Sequence, residues 1–133
     1  MSVDIKVVNE KNAYYLGFKG KVTLDDIKFG VKKIYSEEEI YLRKYQIIDF
    51  SETTAVDVSS SDVKEVVSMN KEGLRLNSDF KLAIVAPTDL LFGMSRIYKA
   101  YGESIGFKIS VFRDKENSEL WLQRQLNSDN QTK

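Results

Sequence analysis

Two rhythms of apolar residues alternate along this chain: one repeats every second residue, as in strands, and the other every three or four, as in helices. Val3-Asp4-Ile5-Lys6-Val7 follows the first rhythm, Asn9-Glu10-Lys11-Asn12 interrupts it with a polar turn, and Ala13 to Phe18 resumes it. The opening therefore reads as a β-hairpin. Thr23-Leu24-Asp25-Asp26 has the form of a helix start, with Thr23 as N-cap and carboxylates in the first turn, where the helix dipole favours negative charge. Leu24, Ile27, Val31, Ile34 and Tyr35 follow at helical spacing and give that helix one face to bury.

Beyond the break at Glu37-Glu38-Glu39, Tyr45-Gln46-Ile47-Ile48-Asp49-Phe50 reads as a largely buried strand, and Ser51 to Asp57 as the loop that leaves it. Ser59-Ser60-Ser61-Asp62 is rich in capping residues, and Val63, Val66, Val67 and Leu74 continue as a helical stripe. Phe80 to Ala86 has the character of a central strand; Pro87-Thr88-Asp89 stops it and caps a helix carrying Leu91, Met94, Tyr98, Tyr101 and Ile105. Gly106 ends that helix, Phe107 to Phe112 alternates as a strand with one exposed face, and Asp114 caps a last helix with Leu120, Trp121, Leu122 and Leu126. The order predicts an α/β domain: a single four- or five-stranded mixed sheet with an N-terminal antiparallel hairpin and about four helices. Residues 1–126 form one domain in this reading, and 127–133 a polar, flexible tail.

Composition narrows the function. A chain of 133 residues, 42% of them hydrophobic, builds one ordinary core. Its 20 Lys and Arg balance 20 Asp and Glu, which argues against nucleic acid, whose binding rests on neutralising many phosphates. The absence of histidine removes the commonest general base near neutral pH and every His-dependent triad, and the absence of cysteine removes thiol chemistry and disulfides. No metal or cofactor is expected. The first residues lack a basic segment followed by an apolar one, and no apolar run approaches the roughly 20 residues of a membrane helix, so a soluble cytoplasmic protein is expected.

Three blocks, Ala83-Ile84-Val85-Ala86-Pro87, Phe92-Gly93-Met94-Ser95-Arg96-Ile97-Tyr98 and Val111-Phe112-Arg113-Asp114 followed by Trp121-Leu122, together resemble the SpoIIAA-like family, a relative of the STAS (sulfate transporter and anti-sigma-factor antagonist) domains. The resemblance spans nearly the whole chain. It implies a four- or five-stranded sheet with helices over it and a non-enzymatic binding role; relatives of this fold include lipid-carrying modules with an apolar pocket. Anti-sigma antagonists are switched by phosphorylation of a serine in an Asp-Ser-Ser-Gly motif. The comparable stretch here, Asp57-Val58-Ser59-Ser60-Ser61-Asp62, has valine in place of the first serine and lacks the glycine, so the switch does not carry over with the scaffold.

Two sets of candidate residues follow. Asp57, Ser59, Ser60, Ser61 and Asp62 are placed to meet a protein partner or accept a phosphate at a helix N-terminus, although capping is the simpler use of such serines. Phe92, Gly93, Met94, Tyr98 and Tyr101 are placed to line a pocket for an apolar ligand, although such a stripe serves equally as core, and Gly93 marks a close approach or a bend. Asp49 and Asp57 are a weaker acidic pair, better read as loop-stabilising, and Arg96 and Arg113 are surface ion-pair candidates. The expected function is a regulatory interaction domain with a protein partner, as monomer or homodimer. The alternative is a small carrier of a lipid-like or other apolar molecule.

Overall fold

The structure, a computed structural model, describes residues 3–8, 11–38 and 40–131. Strand β1 (Val3–Val8) pairs antiparallel with β2 (Ala13–Thr23); β3 (Tyr45–Asp57), β4 (Lys81–Val85) and β5 (Lys108–Phe112) follow in parallel, in the spatial order β1-β2-β3-β4-β5. Parallel neighbours need long crossovers, supplied by α1 (Leu24–Tyr35), α2 (Ser60–Leu76) and α3 (Asp89–Ser104), and α4 (Lys115–Gln131) follows the last strand. This is the mixed sheet with hairpin and four helices that the periodicity predicts. Of the expected hairpin turn, Asn9 and Glu10 lie outside the described residues, as does Glu39 of the acidic break.

Side chains alternate across a strand, so the sheet presents two faces. On one, Leu16, Phe18, Ile48, Leu82 and Ile84 meet apolar residues of α1, α2 and α3 in a continuous core. Complete burial of a side chain such as Leu82 stabilises the fold by roughly 1.5–3 kcal/mol. On the other, Ala13, Tyr45 and Leu122 form a small cluster with Ile47, Trp121 and Leu126 beneath α4. The expected docking of Trp121 is observed: its ring stands edge-on to Tyr45 at 5.9 Å and tilted to Phe112 at 6.2 Å.

Local chemistry starts and stops these elements where the sequence predicts. Thr23 and Asp26 form a capping box at α1, Thr88 accepts from the Leu91 N–H at α3, and Asp114 accepts from the Asn117 N–H at α4. Gly106, at φ +92°, turns the chain out of α3.

Two boundaries differ. The expected loop Ser51 to Asp57 is strand, because β2 also runs on past Phe18 and the two pair through Lys19↔Glu52, Val22↔Val56 and Thr23↔Asp57. Register shifts beside Gly17 and Gly20 accommodate this ribbon, and the Thr53 hydroxyl donates to the Phe18 carbonyl at 2.9 Å. The polar segment expected as a tail from residue 127 is helical through Gln131: Asp129 accepts from the Tyr45 hydroxyl and lies 3.7 Å from the Lys44 ammonium.

Candidate functional site

At the start of α2 the serine run divides its duties. Ser59 is the N-cap: its Oγ accepts from the Asp62 N–H at 3.2 Å, while the Asp62 carboxylate accepts from the Ser59 N–H at 2.9 Å. This reciprocal pair satisfies backbone donors that the helix itself leaves open. Ser60 and Ser61 lie in the first turn, exposed, and Asp57 is exposed at the end of β3. The structure thus brings Asp57, Ser59, Ser60, Ser61 and Asp62 together on one surface. Asp49 is not part of it. It stands farther back on the same strand, and at about 3.3 Å per residue the two aspartates are on the order of 25 Å apart. Among the described residues no group of acidic side chains is arranged to hold a metal ion.

Beside this turn an apolar cleft of ≈ 70 Å³ opens between the sheet and α1 to α3, with Phe50, Val56, Val58 and Met94 half-buried at its walls. Of the expected apolar-ligand residues, only Met94 and Tyr98 line it. Tyr98 is tied back by Asn70, which donates to its hydroxyl and accepts from Tyr35, so a buried polar chain joins α3, α2 and α1. Burial raises the pKa of both tyrosines and keeps them neutral, Tyr35 as donor to the Asn70 carbonyl oxygen and Tyr98 as acceptor from the Asn70 amide. Phe92 instead carries the Arg113 guanidinium 4.1 Å above its ring, and Tyr101 carries Lys64 at 5.1 Å. Gly93 is exposed, and a Cβ there would meet nothing within 4 Å, so the expected close approach is absent. Arg113 pairs with Asp89 at 2.8 Å on the surface, and Arg96 is exposed.

A third cluster lies on the α4 face and escapes sequence reasoning. Asp49, only 3% exposed, accepts from the Tyr15 hydroxyl and from the Ser51 N–H at 2.8 Å, and the Lys115 ammonium lies 3.4 Å away. Burial by itself would raise the Asp49 carboxyl; the bonds from Tyr15 and Ser51 and the charge of Lys115 outweigh it and hold the pKa below the ordinary value. Burial and the neighbouring carboxylate push the Tyr15 phenol up. Gly17, register partner of Asp49, makes this possible: a Cβ there would sit 3.0 Å from the Tyr15 ring, which lies back over the strand. A glycine two residues after a tyrosine within a strand was the one signal available.

No protein-family model matches the chain, and no curated protein does. Solved structures do. The anti-sigma factor antagonist SpoIIAA in its unphosphorylated form superposes with a TM-score of 0.60 at 12% identity, over 92% of this chain and 97% of that one. The chain has the SpoIIAA-like fold. A second match is an uncharacterised protein of the DUF3478 family with a SpoIIAA-like fold from Shewanella loihica PV-4, at TM-score 0.57 and 17% identity, over 90% of this chain and 91% of that one. The fold implied by the three sequence blocks is therefore the fold observed, over nearly the whole length of both solved structures. No helix among the described residues is long and apolar enough to cross a membrane.

Proposed function

We propose that this SpoIIAA-like domain is a non-enzymatic, cytoplasmic regulatory module that docks a protein partner through the surface formed by Asp57 to Asp62. One observation carries the reading: half-buried Phe50, Val56, Val58 and Met94 line an apolar cleft, and the residues beside Val58 in the chain, Asp57, Ser60 and Ser61, are exposed and polar, the combination of apolar centre and polar border that protein interfaces have. The known function of SpoIIAA, antagonism of an anti-sigma factor, supports the class of role. Ser59 acts here as a structural cap rather than as a switch. The test is affinity capture from the native cells with wild type and with a Val58→Arg, Ser60→Arg double variant of verified fold. A partner retained by wild type and lost by the variant supports the surface; an identical set of bound proteins refutes it.

The carrier reading stands behind this one, since ≈ 70 Å³ is smaller than the roughly 150 Å³ of an engineered apolar cavity that binds benzene. Wild type is expected to show no saturable uptake of an apolar fluorescent probe, and Met94→Trp to lose about 1–3 kcal/mol of stability by overpacking. Saturable uptake that the tryptophan blocks without loss of stability would reverse the order of the two readings.

A further inference from the structure

The Tyr15–Asp49–Lys115 cluster is the wall between two voids on the α4 face. One, of ≈ 100 Å³, has Ala13, Ile47, Val85 and Leu122 among its lining and opens at exposed Lys11 and Glu119; the other, of ≈ 170 Å³, is polar and reaches the surface at Lys6, Lys19 and Glu52. A buried carboxylate is costly unless a cation or hydrogen-bond donors compensate it. Here part of that compensation comes from Lys115, a long side chain that is itself 53% exposed. The Tyr15 ring has Lys115 5.6 Å and Lys6 5.8 Å from its centroid, so its faces already receive ammonium groups. An anion is disfavoured: Lys6 and Lys19 are paired with Asp4 at 3.4 Å and Glu52 at 3.6 Å, and the Asp49 charge repels it.

We propose that this cleft binds a primary alkylammonium ion, with Lys115 as an intramolecular occupant that a ligand displaces. The ligand's ammonium pairs with Asp49 against the Tyr15 ring, and its aliphatic stem lies in the apolar-lined void beside Ile47 and Leu122. This site lies on the other face of the sheet from the partner surface and does not depend on it.

The experiment is an NMR titration of the whole chain with n-butylamine, and with n-butanol as the uncharged control. Lys115→Met should give saturable shifts at Tyr15, Gly17 and Leu122, with affinity roughly tenfold or more above wild type, the worth of one charge-assisted hydrogen bond. n-Butanol should give none. Asp49→Asn added to Lys115→Met should abolish binding; if that protein does not fold, Tyr15→Ala, which removes the aromatic wall and keeps the carboxylate, should weaken it. Absence of saturable binding to Lys115→Met, equal binding of n-butanol, or indifference to the Asp49 and Tyr15 changes overturns the proposal.

Discussion

Among the described residues three α-helices cover one face of the sheet and a single α-helix covers the other, and the two faces are held by different chemistry. Under α1, α2 and α3 the contacts are apolar and continuous from Leu16 and Phe18 to Ile109, with one polar chain, Tyr35–Asn70–Tyr98, satisfied within itself. Under α4 the apolar cluster is small, and carboxylates hold the helix near both ends: Asp49 with Lys115 at the start, and Asp129 with Tyr45 and Lys44 near the finish. Lys81 adds a bond to Gln125 at 2.9 Å. One face carries most of the apolar burial; the other sets a buried carboxylate, Asp49, beside the start of α4. Of these charged groups only Asp49 is buried, and a buried charge stabilises poorly against an apolar residue of the same shape.

The largest test of this contrast is Phe80→Ala. Phe80 is buried between Tyr14 and Phe107, and its loss should cost about 3–5 kcal/mol and shift the whole unfolding transition. Trp121→Ala should cost about 3 kcal/mol, with the loss of protection against hydrogen exchange concentrated in α4. An unfolding midpoint equal to wild type would show that α4 is not docked. Gly73→Ala probes the helical layer, since its Cβ would fall 2.4 Å from the Tyr35 ring; overpacking by about 1–3 kcal/mol is expected.

Acid should separate the faces further. The Asp49 carboxyl is held below its unfolded value of about 3.9, so its contribution is complete above that pH and is lost as pH falls through the lower folded value. Urea titrations of wild type and Asp49→Asn should therefore converge in that acidic window, and parallel curves across it would show that Lys115 and Tyr15 do not stabilise the charge. The smallest effect belongs to the cap: Ser59→Ala should cost about 1 kcal/mol, whereas Ser60→Asp should be tolerated at the positive end of the helix dipole. Phosphorylation of Ser59 in the native cells, coupled with loss of a partner in Ser59→Asp, would instead make the cap a switch.

What was legible in the sequence is what depends on near neighbours. Thr23, Ser59, Thr88 and Gly106 act within a turn of their own positions, and the elements they bound were found. The second half of β3 was misread because Ser51, Glu52 and Thr54 are polar; they are strand only because β2 runs alongside, a fact of pairing that one segment cannot announce. Asp49 appeared as a strand-end carboxylate, but its partners come from a neighbouring strand and from the last helix, and only register and docking bring them together. The apolar stripe of α3 was legible as a stripe. Its division among Tyr98 in the cleft, Phe92 under Arg113 and Tyr101 under Lys64 was set by the neighbouring elements.

The strand order β1-β2-β3-β4-β5 carries a consequence for how the molecule comes into being. Each strand joins the edge left by the one before it, so no later segment must insert between two earlier ones, and every loop closed during folding is a single crossover long. The loop-closure entropy to be overcome at each step stays small for a mostly parallel sheet. A chain emerging from the ribosome can build the hairpin, add β3 across α1, and extend strand by strand, with α4 settling onto its face only after the strands beneath it are in place.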